Sequence, residues 1–142
     1  MNNINNWYLM RDGLELGRFI RNSNGTITFR KHSNIKEEWL PFFLQLRPDD
    51  NFDLSKVLVC WIEERVIPPN RIGLKAILKR LGMKKYDAME MAAKFHYSIV
   101  TDAFWIAVND DETYTKCSVR AHFNMPYNSV GIENEGDYIW RI

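Results

Sequence analysis

Trp7-Tyr8-Leu9-Met10-Arg11-Asp12-Gly13-Leu14-Glu15-Leu16-Gly17-Arg18-Phe19-Ile20 is the stretch whose reading decides the fold. Asp12-Gly13 is a favoured two-residue hairpin turn, because both residue types tolerate the backbone such a turn needs. Apolar residues flank it on both sides, which predicts an antiparallel strand pair. Asn22-Ser23-Asn24-Gly25 supplies a second turn from residues that accept positive φ. Thr26-Ile27-Thr28-Phe29 alternates polar and apolar and reads as a third strand. Residues 7–30 are therefore a β-meander.

Working outward, residues 31–52 are a connector anchored by Trp39-Leu40-Pro41-Phe42-Phe43-Leu44, where Pro41 breaks any regular helix. Asp53 can cap a helix over about residues 54–66. Its apolar stripe is Leu54, Val57, Leu58, Trp61 and Ile62, and Pro68-Pro69 stops it. Asn70 can cap a second helix carrying Ile72, Ala76, Ile77 and Leu81, with Gly82 closing it. A third helix is expected over about residues 86–96, with Met89, Ala92, Ala93 and Phe95 facing inward. Phe104-Trp105-Ile106-Ala107-Val108 reads as a buried strand. Tyr114 to Phe123 reads as another, residues 124–137 as loop, and Asp137 to Ile142 as a last strand. An N-terminal antiparallel β-meander, central helices and C-terminal strands define an α+β class.

The chain has 142 residues, a length that predicts one domain spanning residues 1–142. Its formal net charge of +1 argues against binding driven by overall positive charge. Two cysteines, Cys60 and Cys117, cannot build a disulfide framework. Cys60 sits in an apolar run, where a small buried thiol is expected. A reducing, cytoplasmic setting fits. No run approaches the roughly 18 apolar residues of a membrane span. Met1 to Asn6 has no basic-then-apolar pattern, so no secretory leader is expected.

The sequence carries no recognised catalytic motif. The histidines are His32, His96 and His122, and the nearest Cys/His pair in sequence is Cys117 with His122. Without a second such pair, no metal site is expected. Nucleophile elbows, phosphate-cradling glycine loops and kinase catalytic elements are missing too. No cofactor is expected, and the chain reads as a non-enzyme.

One charge cluster stands out. Arg65, Arg71, Lys75, Lys79, Arg80, Lys84 and Lys85 face only Glu63 and Glu64, a local surplus of five positive charges. Lys75 and Lys79 are four apart and share a helix face. From residue 109 onward the balance reverses to an acidic excess of three.

Two regions resemble the N-terminal module of HipA-like serine/threonine kinases, the toxin kinases of bacterial toxin–antitoxin loci. The first is Trp7 to Phe19 together with Asn24-Gly25-Thr26-Ile27-Thr28-Phe29, which is similar to that module's opening meander. The second runs from Trp61 through Arg65-Val66-Ile67-Pro68-Pro69-Asn70-Arg71 to Leu81-Gly82. It looks like an Arg-x-Ile-Pro-x-x-Arg stretch before a helix ending in Leu-Gly. Thr101-Asp102-Ala103-Phe104-Trp105-Ile106 matches a Ser/Thr-Asp-x-x-Trp-Ile element. Tyr138-Ile139-Trp140-Arg141-Ile142 resembles the strand that leads into the kinase core. The sequence stops where that core would begin, so the resemblance implies no kinase activity and maps no catalytic residue.

In that family the module packs against the kinase core, near the DNA-binding antitoxin. The resemblance thus implies a protein-interaction module, an antitoxin-like or regulatory partner of a HipA-like kinase. An inhibitor of a host defence enzyme, encoded by a phage or mobile element, is the alternative use of the same module. Aromatic anchors with a charged rim are what such binding requires. Trp39, Phe42, Phe43 and Trp140 are the partner-binding candidates. A second alternative is nucleic-acid binding through Arg71, Lys75, Lys79, Arg80, Lys84 and Lys85. Against it, the link through Pro68-Pro69-Asn70 lacks the small central residue of a helix-turn-helix.

Overall fold

Residues 7–108 and 112–118 are described by the structure, a computed structural model. The meander forms as expected: β1 (Tyr8–Arg11), β2 (Leu14–Arg21) and β3 (Ile27–Lys31) are consecutive antiparallel strands. Asp12 takes the positive φ of the first turn, and Gly25 that of the second. The helical part follows as α1 (Phe42–Gln45), α2 (Ser55–Glu63), α3 (Leu74–Leu81) and α4 (Ala88–Lys94). The chain then returns as β4 (Phe104–Ala107) and ends its described part in α5 (Tyr114–Cys117). β4 pairs antiparallel with β1, so the sheet order is β3-β2-β1-β4 and the class is α+β.

An irregularity between β1 and β2 builds the core. Leu9 faces Gly17 and Met10 faces Glu15, which leaves Leu16 without a partner on β1. A bulge of this kind breaks the strict alternation of faces. Leu16 and Phe19, an odd number of positions apart, are therefore both fully buried in one cluster. Gly17 is required by contact. A Cβ there would lie 2.2 Å from the Arg30 carbonyl oxygen and 2.7 Å from the Phe29 ring.

The helices cover one face of this sheet. Leu40, Leu44, Leu54, Leu58, Ile62 and Ala92 meet Leu9, Phe19, Phe29 and Ile106. Each buried Leu or Ile is worth about 2 kcal/mol of transfer free energy. Asp53 fixes how α2 enters. Its Oδ1 accepts from the Ile27 and Ser55 backbone N–H groups at 3.1 and 3.0 Å, while Leu54 N donates to Ile27 O at 2.7 Å. The N-cap of α2 is Leu54, not the expected Asp53, which lies one residue earlier and holds the start of α2 onto β3. On the opposite face, Trp105 and Ala107 pack with Tyr114 of α5. A satellite cluster of Met83, Met91 and Phe95 lies under Leu74, Leu78 and Leu81 of α3.

Several expectations are corrected. Pro41 does not prevent a helix: α1 starts immediately after it, because a proline at a helix start gives up no needed N–H. Asn70 does not cap α3; the helix starts at Leu74, behind Gly73 at φ 81°. Ile72 therefore falls in the preceding turn and is 97% exposed. Gly82 does close α3, with Met83 N on Leu78 O and Gly82 N on Lys79 O, the paired bonds of a Schellman ending. Val57 and Cys60 are exposed rather than buried. In α4, Met91 replaces Ala93 on the inward face. Tyr114–Cys117 is a helical turn, not a strand. The strand expected over residues 137–142 and the loop over 124–137 lie outside the described residues.

Candidate interaction surfaces and a buried arginine

Pro41 turns the chain into α1 so that successive aromatics point different ways. Leu44 goes fully into the core. Phe43 is half-buried, its ring centroid 5.0 Å from that of Trp61 on α2. Phe42 is left 71% exposed, and Leu46, four residues on and thus on the same side, is 66% exposed. Trp39 packs partly against the core, with the Lys36 ammonium 5.6 Å from its ring. Of the four aromatic candidates, Phe42 is presented outward, while Trp39 and Phe43 are largely packing residues. Trp140 lies outside the described residues. Leu46 was missed because its polar neighbours gave it no pattern.

All six candidate basic residues are exposed: Arg71 ahead of α3, Lys75, Lys79 and Arg80 on it, and Lys84 and Lys85 behind it. Leu74, Leu78 and Leu81 turn the other way, onto the satellite cluster. The amphipathic split explains both faces with one helix.

The most elaborate polar site is Arg65, 7% exposed just beyond the end of α2. Its Nη1 and Nη2 donate to the two Asp102 oxygens at 2.6 and 2.7 Å. Nη2 also donates to Phe104 O at 2.7 Å, and Nε to Tyr97 O at 2.8 Å. The guanidinium lies 4.2 Å from the Trp61 ring centroid. Asp102 Oδ1 in turn accepts from Phe104 N at 2.9 Å. All three guanidinium nitrogens donate, as a buried cation requires. The group joins the end of α2 to the segment that enters β4.

A second polar cluster joins residues far apart in sequence. His96 and Tyr97 both take left-handed φ, 52° and 61°, and this bend turns the chain away from the end of α4. His96 Nδ1 lies 3.0 Å from Glu112 Oε2. Cys117 of α5 completes a trio whose donor atoms all lie within 4.8 Å of one another. In sequence, the histidine nearest Cys117 is His122, which lies outside the described residues. The bend that brings His96 in has no spacing signature.

Comparison with protein-family models, curated proteins and solved structures returned no match. Among the described residues, no helix is long and apolar enough to cross a membrane.

Proposed function

We propose that the chain is a non-enzymatic protein-interaction module that binds a HipA-like kinase in the cytoplasm, as an antitoxin-like or regulatory partner. The observation that carries this reading is the outward Phe42–Leu46 pair on α1, backed by Phe43 stacked on Trp61. A rigid aromatic anchor on a packed base is the usual centre of a protein interface. The choice of partner rests on the resemblance. Two of the stretches that carry it, Arg65 to Arg71 and Thr101 to Ile106, meet through the Arg65–Asp102 pair. Cys60 and Cys117, neither of them in a disulfide, fit a reducing compartment.

The test is co-expression with a HipA-like kinase from the same genome, followed by size-exclusion chromatography. Co-elution with wild type and loss with Phe42→Glu supports the reading. Separate elution at micromolar concentration opposes it. Recovery of a different defence enzyme, dependent on Phe42, would make the chain an inhibitor.

Nucleic-acid binding is the second reading, favoured by the exposure of all six cations around α3. Such binding weakens steeply with salt, whereas an apolar anchor holds.

A further inference from the structure

We propose that His96, Glu112 and Cys117 bind a divalent transition-metal ion, Zn2+ above all, as a clip that fastens α5 to the end of α4. This site goes beyond the interaction reading and stands independently of it.

The donor set is the first argument. Imidazole nitrogen, carboxylate oxygen and thiolate sulfur are the three protein ligand types of Zn2+. A thiolate with an imidazole favours a borderline-soft ion over Ca2+ or Mg2+, which take oxygen donors. The geometry is the second. Tetrahedral Zn2+ separates a sulfur and a nitrogen ligand by about 3.5 Å. The three donor atoms, all within 4.8 Å of one another, close to that span by side-chain adjustment of about 1 Å. His96 Nδ1 and Glu112 Oε2, at 3.0 Å, already stand at almost the required separation.

The surroundings are the third. All three residues are half-buried. Glu112 is aimed by its other oxygen, which accepts from Val108 N at 2.6 Å. His96 is held by its backbone: its N donates to Ala93 O at 3.1 Å, and its O accepts from Ile106 N at 2.9 Å. Cys117 is held by its own N–H on Thr113 O at 2.9 Å. Metal ligands oriented in this way by hydrogen bonds bind more tightly than free ones. The described residues supply three donors; a water or another donor completes the tetrahedron.

The ion needs a deprotonated thiol, so metal entry releases the Cys117 proton, and His96 coordinates through Nδ1 as the tautomer that carries its proton on Nε2. Exposed Cys60 is an internal control in the same chain.

The experiment is alkylation of the full-length chain by iodoacetamide, with and without Zn2+, read cysteine by cysteine by mass spectrometry. Zn2+ should slow modification of Cys117 at least tenfold and leave Cys60 unchanged. Co2+ used as a probe should give a thiolate-to-metal charge-transfer band in wild type and in Cys60→Ser. His96→Gln should weaken Co2+ binding at least tenfold. Equal alkylation of Cys117 with and without Zn2+ overturns the proposal. So does a charge-transfer band that disappears in Cys60→Ser, or Co2+ bound by wild type without such a band.

Discussion

Arg65 and Asp102, 37 residues apart, meet in a two-pronged ion pair of 2.6 and 2.7 Å whose guanidinium lies over the Trp61 ring. Removing Asp102 leaves the Arg65 guanidinium buried without its charge partner, whereas the Asp102 side chain is 31% exposed and keeps access to water when Arg65 is removed. Asp102→Ala should therefore cost about 3 kcal/mol, read as a lower urea midpoint, and Arg65→Met less. Arg65→Lys should lose nearly as much as Arg65→Met, because an ammonium cannot span two carboxylate oxygens and two carbonyls. A lysine variant as stable as wild type would show that the fork geometry is unimportant.

Gly17 marks where β2 and β3 come closest. Gly17→Ala puts a methyl group against the Arg30 carbonyl and the Phe29 ring, which are backbone and packed core. The expected loss is about 2 kcal/mol, measured by chemical unfolding. Gly13→Ala is the control, since a Cβ there meets nothing within 4 Å.

Asp53 makes the fold acid-sensitive at one place. Hydrogen bonds from the Ser55 hydroxyl and from the Ile27 and Ser55 amides hold its carboxyl below the usual range. Its contribution is present above the unfolded carboxyl value near 4 and is lost as pH falls through the lower folded value. The stability gap between wild type and Asp53→Asn should therefore narrow on acidification. A constant gap from pH 7 to 2 would contradict this.

Tyr97 acts at the opposite end of the scale. Burial raises its phenol above the ordinary value near 10. Its contribution is complete below that unfolded value and fades as pH rises through the folded one. Tyr86 shifts the same way, from burial and then from Glu63 and Asp87. Tyr97→Phe should unfold less readily than wild type, relative to neutral pH, when both are titrated above pH 10.

The meander and the end of α3 were legible because Asp12-Gly13, Asn24-Gly25 and Gly82 dictate local backbone, and the buried strand at Phe104 because its apolar run is continuous. Periodicity was less informative where neighbours decide. Val57 and Cys60 lie on a helix with too much apolar surface for one buried face, so sequence could not tell which residues stay outside. The bulge that lets Leu16 and Phe19 share the core has no sequence signature. The aromatic candidates were found as a group. Which of them points outward depends on how Pro41 starts α1, and only Phe42 does so clearly among the described residues. Arg65 and Asp102 were each visible within a motif, but their pairing needs the third dimension. His96 was out of reach for the same reason.

The measurement that tests the central claim most directly is the affinity of the purified chain for a HipA-like kinase from its genome. It should be taken by calorimetry at low and at raised salt, with Phe42→Ala and Lys75→Glu/Lys79→Glu variants beside wild type. The interaction reading predicts at least a tenfold loss in Phe42→Ala and little change with salt or in the lysine variant. Undetectable kinase binding, together with nucleic-acid binding that disappears with salt and in the lysine variant, would contradict it and transfer the function to α3.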